Sequence, residues 1–197
     1  GGRQIDSTTS DGAVRSREGS GHLYQEGVRL FEAQTPVVAA VQGAAVGGGL
    51  GLAMSADFRV ACPESRFTSN FARLGFHQGF GLTVTLPAAI GQQKALELMY
   101  TGRRVKGEEA LAIGLCDFLV PQDELRDKAR ELATEIARSA PLAVRSIRRT
   151  MRRGLADRIR AATDHELVEQ DWLRTTDDFK EGVKAMSERR LPDFKGH

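Results

Sequence analysis

Apolar residues fall into short runs in the first part of the chain and into helical stripes in the last. Leu23, Gly27, Leu30 and Phe31 share a helical face that Pro36 ends. VVAAV (37–41) is apolar on both faces and rich in β-branched residues, the pattern of a buried parallel strand. Gly43 turns the chain, and the run Gly47-Gly48-Gly49 opens a short helix over about 50–55. DFRVAC (57–62) reads as a second strand, and Phe67 lies in another extended piece before a loop punctuated by Gly75, Gly79 and Gly81. Helical patterns follow over 82–90, 92–100 and 107–113, the last closed by Gly114. Residues 7–21, rich in Ser, Thr and Gly, have no periodicity and read as a loop.

Beyond Pro121 the texture changes. Leu125, Ala129, Leu132 and Ile136 form one helical face behind the acidic pair Asp123-Glu124, and Val144, Ile147, Met151 and Leu155 repeat the pattern. Thr163 and Glu166 have the spacing of a capping box, although a helix running through from Ala156 fits equally well. Strand signals stop near residue 120. The pattern is that of an α/β core (1–121) followed by a helical region (122–197).

Composition narrows the function. Among 197 residues, 28 Lys+Arg against 26 Asp+Glu leave a charge of +2, far from the basic excess of a dedicated nucleic-acid binder. No apolar run approaches the ~18–20 residues of a membrane span. Cys62 and Cys116 make neither a disulfide framework nor a CxxC pair, which points to a reducing, cytoplasmic setting. No His/Cys/Asp cluster has metal-ligand spacing. The two cysteines read as small buried residues, and Tyr100 and Trp172 as helix packing residues. Seven arginines between 145 and 160 read as a solvated or acid-paired face, or as a lure for phosphate groups.

The glycine-rich turn Gly43–Asp57 carries the chemistry. A phosphate-binding P-loop needs a Lys after its last glycine, but Gly49 follows Gly48. A dinucleotide fingerprint needs a third glycine where Leu52 stands. What remains is a strand exit that lets a ligand oxygen touch the backbone N–H groups of a starting helix, or a tight turn without a ligand.

The stretch VAAVQGAAVGGGLGLAMSADF (38–58) resembles the signature of the crotonase superfamily, the enoyl-CoA hydratase/isomerase family. The similarity continues through RFTSNFARLGFHQGFGLTVTLPAAIG (66–91), LMYTGRRVKGEEALAIGLCDFLVP (98–121) and the tail SERRLPDFKGH (187–197). The resemblance implies a spiral of ββα units with a C-terminal helical region that trimerises, the trimers often pairing into hexamers. It implies acyl-CoA thioester substrates, coenzyme A entering only as part of the substrate, and an oxyanion hole for a thioester enolate. Gly48 then supplies one donor, flanked by Gly47 and Gly49, with Phe71 and Leu74 along the acyl group. The second donor falls at Arg3, within the substrate-binding segment Gly2, Arg3, Gln4 and Ile5. Family members carry further N-terminal strands before that segment, so the chain is expected to lack them and to expose a sheet edge.

Two departures put the reaction in question. The family's hydratases place glutamates at the positions of Gly51 and Phe71, and neither residue can do acid–base work. His77, in the loop LGFHQGFG, is the substitute that the sequence offers. Two readings follow: an enzyme of enolate chemistry with unusual acid–base residues, or an acyl-CoA-binding protein without catalysis.

Overall fold

The computed structural model describes residues 23–197; Gly2, Arg3, Gln4, Ile5, the 7–21 loop and His22 lie outside the described residues. Helix α1 (Leu23–Phe31) leads into a winding of paired short strands. β1 (Val38–Val41) and β2 (Ala44–Val46) precede helix α2 (Gly48–Ser55). β3 (Phe58–Ala61) and β4 (Arg66–Thr68) precede a short 3-10 turn (Ala72–Leu74), α3 (Leu82–Ile90) and α4 (Gln92–Thr101). β5 (Val105–Lys106), α5 (Gly107–Ala112) and β6 (Phe118–Leu119) complete it.

Among the described residues the strands form two three-stranded sheets, ordered β1-β3-β6 and β2-β4-β5, and β1 to β4 alternate between them before β5 joins β4 and β6 returns to β3. β1 and β3 pair in parallel, with Val38 opposite Phe58, and β2 and β4 likewise, with Ala45 opposite Phe67. Among the described residues only β4–β5 is antiparallel. Each turn of chain thus adds one strand to each sheet and a helix, which is the expected spiral of ββα units. β1 and β2 stand at sheet edges among the described residues, and a groove of about 450 Å³ runs along them beside Gly49 and Leu52.

Between the sheets and α2–α5 lies one apolar core built around Leu50, Phe67, Leu82, Leu86, Val105 and Leu115, all at 1% exposure or less. Each such side chain contributes about 1.5–3 kcal/mol by leaving water. A second cluster joins Val28 and Phe31 of α1 to Phe80 and Ile159. Cys62 and Cys116 are buried free thiols, as expected.

Helices α6 (Leu125–Ala137), α7 (Pro141–Met151), α8 (Leu155–Leu173) and α9 (Asp177–Ser187) follow. One open alternative is decided here, and two expectations fail. Thr163 and Glu166 are not a cap; both are fully buried inside α8, which runs through. The apolar stripe of α7 faces outward, with Ile147 62% and Met151 80% exposed, and Gly154 in the left-handed region breaks the helix before Leu155. The inward residue is instead Arg148, whose guanidinium meets both carboxylate oxygens of Asp57 at 3.0–3.1 Å and also donates to the Ala33 carbonyl. Arg152 adds a second ion pair to Asp57 at 3.3 Å, and Asp57 also accepts the Val37 N–H at 2.8 Å. Asp57 thereby ties α7 to the sheet, and part of the basic run is structural. Tyr100 and Trp172, read as packing residues, are 74% and 54% exposed.

Candidate active site

The site grows from the turn between β2 and α2. Gly47 N–H donates to the Thr68 carbonyl at 3.0 Å, which pins the turn to β4. Its φ of 52° and ψ of −116° form a backbone conformation open to glycine. α2 then starts at Gly48, so the leading N–H groups of Gly48 and Gly49 have no intrahelical acceptor and carry the positive end of the helix dipole. Such a pair of free donors suits an oxygen on which negative charge develops.

Three aromatic residues crowd this helix start. Phe71, 4% exposed, lies against Gly47: a β-carbon added there would stand 3.4 Å from its ring. Phe71 in turn meets Phe76 edge-on at 5.3 Å, and Phe76 meets Phe179 of α9 at the same distance. Tyr24 of α1 lies against Gly48, where an added β-carbon would stand 3.1 Å from its hydroxyl oxygen. Phe80 covers Gly51: an added β-carbon would be 2.5 Å from the Phe80 β-carbon. The two positions at which the resemblance puts glutamates are therefore apolar for different reasons. At 71 the side chain itself is a phenyl ring, and at 51 a ring from another loop fills the space.

Phe80 reaches Gly51 because its backbone is held in the left-handed region, at φ 62°. For a bulky residue this costs about 1–3 kcal/mol and persists only under external constraint. The constraint comes from α8. Glu166 Oε2 accepts the Gly81 N–H at 2.8 Å, and its Oε1 accepts the Thr83 N–H at 3.0 Å and the Thr83 hydroxyl at 2.6 Å. One turn later, Gln170 Nε2 donates to the His77 carbonyl at 2.9 Å, and Arg174 donates to Gln170 Oε1 at 3.2 Å. Burial pushes the Glu166 carboxyl up from its usual range, against the opposing pull of hydrogen bonds from Thr83 and Gly81. Glu166, Gln170 and Arg174 thus form a ladder on one helix face that grips the loop 77–83.

That ladder holds His77 through its backbone carbonyl. Its Nδ1 lies 2.8 Å from the Gln78 carbonyl oxygen, and its ring faces His165 of α8 at 6.2 Å. Leu74 backs onto α9, where Gly182 passes close to its backbone. The structure therefore brings together Gly47, Gly48, Gly51 and Phe71, with Gly49 on the outer groove, and sets His77 and Leu74 toward the C-terminal helices. Tyr24, Phe80 and Glu166 are additions that sequence reasoning missed. The only signals were the Thr163/Glu166 spacing and the isolated phenylalanine of Gly79-Phe80-Gly81. Among the described residues, no group of three or more His, Cys, Asp or Glu is arranged to hold a metal ion. No described helix is long and apolar enough to cross a membrane.

Comparison with known proteins places this geometry. The family model described as "Enoyl-CoA hydratase/isomerase" matches residues 2–197. (E)-Benzylidenesuccinyl-CoA hydratase of Thauera aromatica is 37% identical over 161 residues, covering 82% of this chain and 63% of that protein. Short-chain-enoyl-CoA hydratase of Clostridium acetobutylicum is 37% identical over 168 residues, covering 85% of this chain and 64% of its own length. The chain thus spans somewhat under two thirds of these two relatives. The crystal structure of an enoyl-CoA hydratase/isomerase from Pseudoalteromonas atlantica T6c superposes with a TM-score of 0.79 at 31% identity, covering 85% of this chain and 68% of that one.

Proposed function

The chain belongs to the enoyl-CoA hydratase/isomerase family of the crotonase superfamily, and from that premise we propose that it acts on an acyl-CoA thioester. In this reading the thioester oxygen lies at the start of α2 and accepts from the Gly48 N–H, with the second donor at Arg3. Electron density moving onto that oxygen makes a thioester enolate, which the fixed donors and the helix dipole stabilise before any solvent can reorganise. Losing one such donor typically costs about 10²–10³ in rate. The observation that carries the reading is the glycine-opened start of α2, walled by Phe71 and Tyr24.

The same site favours a second reading, acyl-CoA binding without turnover, because Gly51 and Phe71 supply no carboxylate. Titration with crotonyl-CoA, alongside its rate of hydration, separates the two. Binding with hydration at the buffer rate supports the second reading for this substrate. Gly48→Val, which drives a branched side chain into the acyl position and toward Tyr24, is expected to abolish binding. Normal binding by that variant would remove the oxyanion assignment.

We also infer assembly into trimers or pairs of trimers through the C-terminal helices. Leu142, Ile147 and Met151 of α7 and Val168 and Trp172 of α8 are exposed apolar residues that such contacts would cover. Light scattering on Met151→Glu tests this: a smaller mass than the parent supports the interface, and an unchanged mass refutes it there.

A further inference from the structure

At the two positions where the resemblance implies glutamates this chain has Gly51 and Phe71, yet a different proton carrier stands beside Gly48. Tyr24 enters from α1, and its hydroxyl oxygen is 3.1 Å from where a Gly48 β-carbon would be. The structure makes room for this ring twice. A β-carbon at Gly79 would lie 2.3 Å from the Tyr24 ring, and Phe80 meets the same ring edge-on at 5.4 Å. Tyr24 is half-buried. The charged groups that act on it are Arg174 and Glu166 of the α8 ladder, and His77 acts on Glu166 in turn.

We propose that the Tyr24 hydroxyl is the proton-transfer group at the acyl α-carbon, working on an enolate whose oxygen is held at the start of α2. This rests on the acyl-CoA reading above. An oxygen bound by the Gly48 N–H sits about 2.9 Å from that nitrogen with the α-carbon two bonds further, and the Tyr24 hydroxyl stands beside the same glycine, 3.1 Å from its β-carbon position. In one direction the phenol gives its proton to the α-carbon; the enolate oxygen's electron pair re-forms the carbonyl, and a phenolate remains for water to reprotonate. In the other, the phenolate takes the α-proton, the C–H pair becomes the second bond between the α-carbon and the carbonyl carbon, and the carbonyl π pair moves onto the thioester oxygen. Glu166 holds the Gly81 and Thr83 amides, and the His77 ring faces His165 of α8. Burial raises the Tyr24 hydroxyl above its ordinary range, so it holds its proton at neutral pH and the phenolate direction gains with rising pH.

The test uses butyryl-CoA in D2O with the full chain, following α-deuterium entry by mass spectrometry from pH 7 to 10 and butyryl-CoA binding by calorimetry. Tyr24→Phe keeps the ring against Gly79 and Phe80. The proposal expects exchange that rises with pH in the parent, and at least a hundredfold loss in Tyr24→Phe with binding within threefold. Exchange by Tyr24→Phe equal to the parent's, or absence of exchange in a parent that binds, overturns the Tyr24 assignment and leaves acyl-CoA binding standing. Absence of binding by the parent overturns both.

Discussion

Gly51 and Phe80 form a mutually dependent pair, and that dependence is measurable. Alanine is favoured over glycine inside a helix by about 1 kcal/mol, so Gly51→Ala in α2 would ordinarily stabilise. Here the new β-carbon lies 2.5 Å from the Phe80 β-carbon and 2.6 Å from its Cγ, against ordinary contacts of 3.4–4 Å. Phe80 has nowhere to retreat, since it is 6% exposed and its ring tip reaches Gly27 on its far side. Overpacking of this kind costs about 1–3 kcal/mol, and an overlap next to the backbone belongs at the upper end. The net effect is a loss of about 2 kcal/mol, or roughly 4–8 °C in Tm for a chain of this size. In a Phe80→Gly background the overlapping atoms are gone, and Gly51→Ala is expected to raise Tm instead. The coupling across the cycle is therefore about 3 kcal/mol, within the range for residues in contact. Thermal unfolding of the four proteins followed by circular dichroism measures it. The same shift from Gly51→Ala in both backgrounds would refute the close packing at this position. The overlap also means that Gly51→Glu alone does not create crotonyl-CoA hydration.

Other consequences follow from buried and paired groups. Glu166→Ala strands the buried Gly81 N–H and removes the partner of the part-buried Thr83 N–H, costing about 1–3 kcal/mol, and faster hydrogen exchange at those two amides is the expected signature. Arg103 bridges Glu97 and Glu109 and holds the Glu97 carboxyl at about 2. A carboxyl lowered in the folded state stabilises above its ordinary range and loses that contribution as pH falls, so the deficit of Arg103→Met is expected at pH 7 and to shrink between about 4.5 and 2. Unfolding midpoints across that range check the sign. Burial, reinforced by Asp117, pushes the Cys116 thiol up to about 11. Native Cys116 is therefore expected to resist iodoacetamide at pH 8 and to react only on unfolding, which peptide mapping reads.

The ladder of elements was largely legible before the structure, because strand runs and glycine stops are local signals. The strand at VVAAV, the helix opened by Gly47–Gly49 and the helices of 82–90 and 92–100 all lie within a residue or two of their observed bounds. What stayed hidden depends on contacts between distant residues. Nothing local in LYQEGVRLF says that Tyr24 meets Gly79, and nothing local in LGLAMS says that Phe80 fills the space beside residue 51. The Thr163/Glu166 spacing was visible, but its meaning depends on whether a carboxylate faces its own helix start or another loop. On α7 the apolar stripe was misleading because Arg148 and Arg152 turn inward to Asp57. Arg3 and its neighbours lie outside the described residues, so the second oxyanion donor rests on resemblance alone.

The central claim is that an acyl thioester oxygen is polarised at the start of α2. Isotope-edited infrared difference spectroscopy of crotonyl-CoA labelled with ¹³C at the carbonyl, bound to the full chain, tests it directly. The Gly48 N–H and the helix dipole should draw the bound carbonyl band to a lower frequency than in water, and Gly48→Val should abolish that bound signal. A bound ligand whose carbonyl band stays at its solution frequency would contradict the account.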